Sequence, residues 1–315
     1  MTIDFERAVS LLKEKDEILI LTHASPDGDT VGGGFALLLA LLKMGKKAKL
    51  LNNDKIPEKF SYITSLVKQQ EFDEKFIVSV DVADSKLLGK DVCEKYGKKV
   101  DLAIDHHGTN RLFAKETYVE PESASACEIV FLITEALGVE IDKDIASCLF
   151  TGCSTDTGCF RYSSVTPRTH RIAARLIELG AAHSKINTKM FETKKFAFLK
   201  LQAICLEKSQ FFFDGKVCIF TVTRKMLDET GCEDSDLDAI SALSRQIEGV
   251  KIGITLKEKE DGTFKASVRT DEDVDAASIC AQFGGGGHKR AAGCSFDIGA
   301  YEIKKQILDA AKEMI

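Results

Sequence analysis

Four short apolar runs in the first 110 residues constrain this chain more than any other feature. They are "EILILTH", "KKAKLLNN", "KFIVSVDVAD" and "KVDLAIDHH". Between the first two lies "TVGGGFALLLALLKMG", an apolar helical stretch closed by Gly45. Short strands alternating with helices are the pattern of βαβ units. A strand covered on both faces has no polar side and reads as a continuous apolar run. The expected fold is therefore α/β, an N-terminal parallel sheet with helices on both faces.

From about residue 123 to 208 the spacing becomes helical. "SASACEIVFLITEALG" stops at Gly138, and "TPRTHRIAARLIELG" offers Thr166 as N-cap with Pro167 at the first helical position. The remainder alternates differently. "QFFFDGKVCIFTVT" and "VKIGITLKEKEDGTFKASVRT" read as hairpins turning at Asp214-Gly215 and Asp261-Gly262. "DLDAISALSRQIEG", "DAASICAQF" and "AYEIKKQILDAAKEMI" read as helices. At 315 residues two domains are favoured over one. The expected organisation is a domain over 1–190, a helical linker over 191–209 and a smaller C-terminal α+β domain over 210–315.

The net charge of −6 argues against a protein that coats long duplex nucleic acid, which needs a strongly basic face. A short anionic substrate held by a few local cations is compatible with it. The ten cysteines lie mostly inside apolar segments such as "IASCLF" and "KVCIF", without CxxC spacing. They are expected to be buried, reduced and cytoplasmic rather than disulfide-bonded or zinc-bound. The start reads as an amphipathic helix and then a strand, so no secretory leader is expected, and no run reaches 18 apolar residues, so no membrane span or membrane partner is expected.

Ligands of an open parallel sheet gather beyond the carboxyl ends of its strands, so the residues just past each strand are informative. The first run leads into His23, Asp27 and Asp29. The third ends in Asp81 and Asp84, and the fourth in Asp105, His106 and His107. The helical stretch adds Asp156 in "GCSTDTG"; only the second run departs, ending in Asn52, Asn53 and Asp54. Singly, each has an ordinary structural explanation. "PDGD" is a common turn, an aspartate closing a strand caps the next helix (the leading explanation for Asp84), and a lone histidine is usually just packed. Together they converge on one sheet edge, where several carboxylates repel unless cations neutralise them. Imidazole and carboxylate without thiolate favour hard or borderline divalent ions, Mn²⁺ first, then Mg²⁺ or Co²⁺. So many donors suit two ions about 3.5–4 Å apart with a bridging carboxylate. Such a pair activates water and grips a phosphoryl oxygen, chemistry that points to phosphoester or phosphoanhydride hydrolysis.

In order and spacing, "HASPDGDTVGG", "VDVAD", "DHHGTN" and "STDTG" resemble the four motifs of the DHH phosphoesterase family. "FGGGGHKRAAG", residues 283–293, resembles the signature of the associated DHHA1 domain. The match spans nearly the whole chain, and its size is similar to that of the stand-alone nanoRNase/pAp-phosphatase (oligoribonuclease-like) subgroup. The resemblance implies that His23 and Asp27 hold one ion, Asp29 and His106 the other, and Asp81 both, with Asp156 completing the ligands of the second ion. Asp105 would orient a ligand histidine through its other ring nitrogen. His107 would face the substrate phosphate, and Asn110 would lie on the substrate side. Catalysis would thus rest on His107, Asp81 and Asp105. The first motif usually ends Gly-Ser and here ends Gly32-Gly33, so one hydroxyl is missing but no metal ligand.

"GGGGHKR" lacks the Gly-Lys-Ser/Thr ending of a P-loop, yet glycines let backbone N–H groups approach an anion. Gly285, Gly286 and Gly287, with His288 and Arg290 beside them, are expected to bind substrate. Arg269 in "SVRT" resembles the family's Ser-x-Arg-Ser contact, with Ser267 present and Thr270 replacing the last serine. The competing readings are a flexible linker for the glycines and a surface ion pair for Arg269. The expected activity is metal-dependent hydrolysis of short nucleotide phosphoesters: RNA of two to five nucleotides, linear dinucleotides such as pApA, and pAp. A cleft between the domains would admit such short single strands. The alternatives are a cyclic-dinucleotide phosphodiesterase, an inorganic pyrophosphatase, which "GGGGHKRAAG" disfavours, and a catalytically silent nucleotide sensor, which the full ligand set disfavours. The apolar helices after residue 123 leave a homodimer open.

Overall fold

The four apolar runs form the parallel sheet they predict. Strands β1 Ile18–Leu21, β2 Ala48–Leu51, β3 Phe76–Val80 and β4 Leu102–Asp105 are joined by β5 Glu116–Val119. The order is β2-β1-β3-β4-β5, with every neighbouring pair parallel. This computed structural model describes residues 1–68, 70–234, 237–271 and 273–315, apart from the side chains of residues 238 and 288. The strand at β5 has no counterpart in the sequence reading. "ETYV" buries only Thr117, as an edge strand does, and so lacks an apolar run. The N-terminus holds it instead: Ile3 N–H donates to the Thr117 carbonyl at 2.9 Å.

The first unit spans Met1–Thr193. Its helices are α1 Phe5–Glu14, α2 Gly28–Lys43, α3 Ser61–Thr64, α4 Lys90–Tyr96, α5 Ala126–Ala136, α6 Lys143–Asp156, α7 Pro167–Glu178 and α8 His183–Asn187. Successive strand residues point to opposite faces. Ile18 and Ile20 therefore join Leu12, Phe35, Ile129 and Phe150 in the larger core, under α1, α2, α5 and α6. Leu19 and Leu21 join Leu88, Val92 and Tyr96 in a smaller one, under α4. Helix α7 begins as its sequence predicts: Thr166 accepts from the Thr169 N–H, Thr169 reciprocates, and Pro167 occupies the first position.

The second unit spans Lys194–Ile315. It contains α9 Phe196–Glu207, β6 Gln210–Phe212, β7 Val217–Val222, α10 Arg224–Thr230, α11 Leu237–Leu243, β8 Ile252–Glu258, β9 Phe264–Thr270, α12 Ala276–Ala281, β10 Gly286–His288, β11 Ala291–Phe296 and α13 Ala300–Lys312. The sheet order is β10-β11-β9-β8-β7-β6. Strands β7 and β8 are parallel, which the α10–α11 crossover permits, and the other neighbours are antiparallel. Val217 and Ile219 pack with Ile303 and Ile307 of α13, while Cys218 and Phe220 pack with Phe198 and Leu201 of α9. All ten cysteines are free thiols, and all but Cys93 and Cys159 are buried. No helix among the described residues is long and apolar enough to cross a membrane.

Candidate functional site

In a sheet ordered 2-1-3-4-5 the ligand crevice opens where the strand order reverses, beyond the carboxyl ends of β1 and β3. His23 lies just past β1 and Asp81 directly past β3, with His23 Nε2 and Asp81 Oδ2 3.6 Å apart. Asp81 adopts φ +61°, a left-handed conformation that costs a non-glycine residue energy. Its N–H donates to the Ile104 carbonyl at 2.9 Å, so the chain turns sharply at that point. Asp27 caps α2, accepting from the N–H groups of Asp29 and Thr30, and its Oδ1 is 3.6 Å from His23 Nε2. Asp29 sits in the first turn of α2, Asp156 ends α6, and His106 follows β4. His106 Nε2 is 3.8 Å from Asp29 Oδ2 and 3.6 Å from both Asp81 Oδ1 and Asp156 Oδ2. The ligand-type atoms thus form overlapping sets, each within 4.8 Å: His23, Asp27 and Asp81; Asp29, His106 and Asp156; and Asp81, His106 and His107.

Backbone groups hold these side chains in place. His23 Nδ1 bonds the Ala24 carbonyl at 2.8 Å, and His106 Nδ1 bonds the Ser123 carbonyl at 3.1 Å. With each Nδ1 held by a carbonyl, each Nε2 is the nitrogen that faces the acids and would meet a cation. Asp29 accepts from Ala126 N–H at 2.6 Å and Cys127 N–H at 3.0 Å, at the start of α5. Helix α6 passes so close that a Cβ at Gly152 would strike Cys127 Sγ and Asp29 Oδ1. Asn52, the exception among the strand ends, donates to the His23 carbonyl and Thr22 Oγ1, both at 2.7 Å. Asp84 caps the turn at Ser85–Leu88 through the Lys86 N–H.

Asp105 plays a different part from the one the resemblance implies. Its Oδ1 meets the His107 ring at Nδ1 at 2.8 Å and accepts from the backbone N–H of His106 at 2.9 Å, while the His106 ring nitrogen Nδ1 goes to the Ser123 carbonyl instead. Asn110, expected on the substrate side, donates to Asp105 Oδ2 at 2.6 Å and to the Val82 carbonyl at 3.2 Å. Its own oxygen accepts from Leu112 N–H, so it braces Asp105. Burial would raise the Asp105 carboxyl, but the bonds from His107 and Asn110 outweigh it and hold it below the ordinary range. In return, the Asp105 hydrogen bond pushes His107 up to about 9. An imidazolium, 44% exposed, therefore stands beside Asp81.

The charge balance of the cluster favours cations. Burial, then repulsion from Asp81, Asp156 and Asp27, pushes the Asp29 carboxyl well above its usual range. Burial also pushes Asp156 up to about 6, with Asp81 and Asp27 adding to it against the pull of His106. At His23, burial is overcome by the carboxylates of Asp27 and Asp81, each 3.6 Å from Nε2, and the ring is pushed up to about 11. Raised carboxyls so close together mark mutual repulsion, which bound divalent ions would relieve. Asp81 Oδ1 is buried without a hydrogen-bond partner, a costly state for a carboxylate oxygen. A pair of divalent cations fits this orphaned oxygen and the all-nitrogen-and-oxygen donor set.

In the second unit, Lys265, Ser267 and Arg269 alternate along β9 and line one cavity of about 470 Å³ with Gly286 and Gly293. The glycine stretch is not an open loop. Gly286–His288 form β10, antiparallel to β11, with Gly287 opposite Ala292. Gly285 and Gly287 lie tight on β11, where a Cβ would strike the Gly293 and Ala291 carbonyls. The Arg290 carbonyl accepts from Thr270 N–H at 3.2 Å, and the His288 side chain lies outside the described residues.

Residues 17–153 match the model of the DHH family, N-terminal domain, and residues 214–315 match that of the DHHA1 domain. The bifunctional oligoribonuclease and PAP phosphatase NrnA of Thermus thermophilus is 31% identical over 306 residues, 94% of this chain and 89% of that protein. This chain belongs to the DHH family. Its DHH segment contains the strand ends bearing His23, Asp27, Asp29, Asp81 and His106, and Asp156 lies just past it. The NrnA of Mycoplasma genitalium is 27% identical, covering 98% of this DHH-family chain and 96% of its own length. An exopolyphosphatase-related protein from Bacteroides fragilis superposes with a TM-score of 0.89 at 23% identity, covering 98% of this chain and 95% of that one, a likeness of fold.

Sequence reasoning missed the groups that orient the ligand-type side chains: the carbonyls of Ala24 and Ser123, the N–H groups of Ala126 and Cys127, and Asn52. Asn52 alone left a signal, as a polar residue closing a strand where acids were sought. Backbone donors and acceptors leave none.

Proposed function

We propose that this protein is a phosphoesterase that hydrolyses short nucleotide phosphoesters (RNA of two to five nucleotides, pApA and pAp) with two divalent cations, Mn²⁺ first. The observation that carries the reading is the convergence of His23, Asp27, Asp29, Asp81, His106 and Asp156 on overlapping sets, with Asp81 grouped with His23 and Asp27 in one and with His106 in another, and His106 grouped with Asp29 and Asp156 in a third. His23, Asp27 and Asp81 would hold one cation, and Asp29, His106, Asp156 and Asp81 the other. Bound there, the cations supply Lewis acidity toward a phosphoryl oxygen and toward the attacking water. The strained turn at Asp81 aims its carboxylate between the two sets. The His107 imidazolium, kept charged by Asp105, donates to the substrate phosphate. Ser267 and Arg269, on the cavity face of β9, take the nucleotide portion together with Gly286. The oligoribonuclease and PAP phosphatase activities of the NrnA relatives support the substrate class. The ten free thiols favour a reducing, cytoplasmic setting.

The test is a product time course on pAp, pApA, cyclic di-AMP, short RNA and pyrophosphate, each with Mn²⁺ and with Mg²⁺. Release from pAp, pApA and short RNA is expected. Preferential turnover of cyclic di-AMP would replace the reading with a cyclic-dinucleotide phosphodiesterase, and turnover of pyrophosphate alone with a pyrophosphatase. Silence on all five would sink it.

A further inference from the structure

Arg168, in the first turn of α7, makes more charged contacts than a surface arginine needs. Its Nη1 donates to Glu120 Oε1 at 2.9 Å, its Nη2 to Glu120 Oε2 at 3.3 Å and to Ser123 Oγ at 2.6 Å. Its Nε donates to Oε2 of Glu128 at 3.3 Å, a fully buried carboxylate whose Oε1 has no hydrogen-bond partner. Ser123 Oγ in turn donates to Glu120 Oε2 at 2.6 Å, and Ser123 N–H to the Glu120 carbonyl at 3.0 Å. One guanidinium thus ties down the turn that joins β5 to α5. The capped start of α7 fixes the arginine itself: Pro167 precedes it and the Thr166–Thr169 box encloses it.

That turn does two things for the site. The Ser123 carbonyl holds His106 Nδ1, and the N–H groups of Ala126 and Cys127 hold both oxygens of Asp29. His106 and Asp29 belong to the same set, with Asp156. The set His23, Asp27 and Asp81 is oriented from elsewhere: by the Ala24 carbonyl, by Asn52 on the His23 carbonyl, and by α2 N–H groups on Asp27.

We propose that Arg168 is a positioning residue for one cation only, the one taken by Asp29, His106 and Asp156, acting through Ser123 and the start of α5. The proposal rests on the two-cation reading above. A guanidinium fork suits the role because its separate N–H groups reach both Glu120 oxygens, the Ser123 hydroxyl and Glu128 at once, a spread that a single ammonium does not match. Residues that orient a metal ligand typically change metal affinity by about 10- to 100-fold when removed.

The experiment is calorimetric titration of the full chain with Mn²⁺, without substrate, on wild type, Arg168→Lys, and the double variant Arg168→Met with Glu128→Gln. The lysine keeps a cation facing Glu128, and the double variant removes both charges, so neither strands a buried carboxylate. Asp156→Asn assigns the binding events. The event that Asp156→Asn weakens should lose about 10- to 100-fold in affinity in both Arg168 variants, while the other event holds. Two unchanged events would overturn the proposal, as would an equal loss at both, which would mark general structural support. A wild type that takes up a single Mn²⁺ would overturn it together with the two-cation reading beneath it.

Discussion

Asp81 stands at positive φ, and its buried Oδ1 has no hydrogen-bond partner. The chain accepts local strain to put that oxygen between two groups of ligand-type side chains. Asparagine tolerates the left-handed region better than most residues, so Asp81→Asn should leave thermal unfolding near wild type. It removes the charge proposed to lie between the two cations. Mn²⁺-dependent turnover should fall by at least about 100-fold, as transition-state charge stabilisation is lost; turnover near the wild-type rate would refute the bridging role. Asp105 acts one step back, through His107. The raised His107 stays an imidazolium below about 9 and loses its proton as pH rises through that value. In Asp105→Asn the ring should titrate nearer its ordinary value of about 6.5. The alkaline limb of kcat/KM should therefore move to lower pH. An unmoved limb would show that His107 is not the group being titrated.

At the scale of elements, the strand ends are legible in the sequence and their supports are not. A strand covered on both faces is an apolar run, and its interruptions show in any reading, as at Asp81 and at Asp105-His106-His107. β5 is hidden because an edge strand needs no such run, and Glu116 and Tyr118 give it none. β10 reads as a loop because glycines are the residues whose sequence says least about backbone pairing. The packing of α6 on α2 and α5 explains Gly152, whose missing Cβ leaves room for Asp29. Gly152→Ala should cost about 1–3 kcal/mol of stability by overpacking and weaken Mn²⁺ binding with it. Urea unfolding and metal titration read the two effects. A stable variant with normal metal affinity would show that α6 can shift away from Asp29.

Across the whole molecule, the two units have separate cores, the first around β1 and α2 and the second around β7, β8 and α13. Unfolding need not be two-state in such a chain. The six proposed metal ligands all belong to the first unit, so Mn²⁺ should raise only the transition of that unit. At about 100 times its Kd the gain is about 2.7 kcal/mol per site, and differential scanning calorimetry with and without chelator reads it. A shift confined to the other transition would place the ions elsewhere. The acidic net charge of −6 belongs to this scale as well. It limits affinity for long polyanions.

The sequence by itself determined four of the five strands of the first sheet, their ends and the chemistry of the donors, because an apolar period and a residue's ligand type are properties of the residues themselves. Only the tertiary structure decided which nitrogen of each histidine faces the acids, that Asp105 serves His107, and that Arg168 steadies the turn behind His106. Those choices are made by carbonyls, N–H groups and side chains brought in from distant segments. Every residue carries the same backbone groups, so their use becomes visible only when the chain has folded.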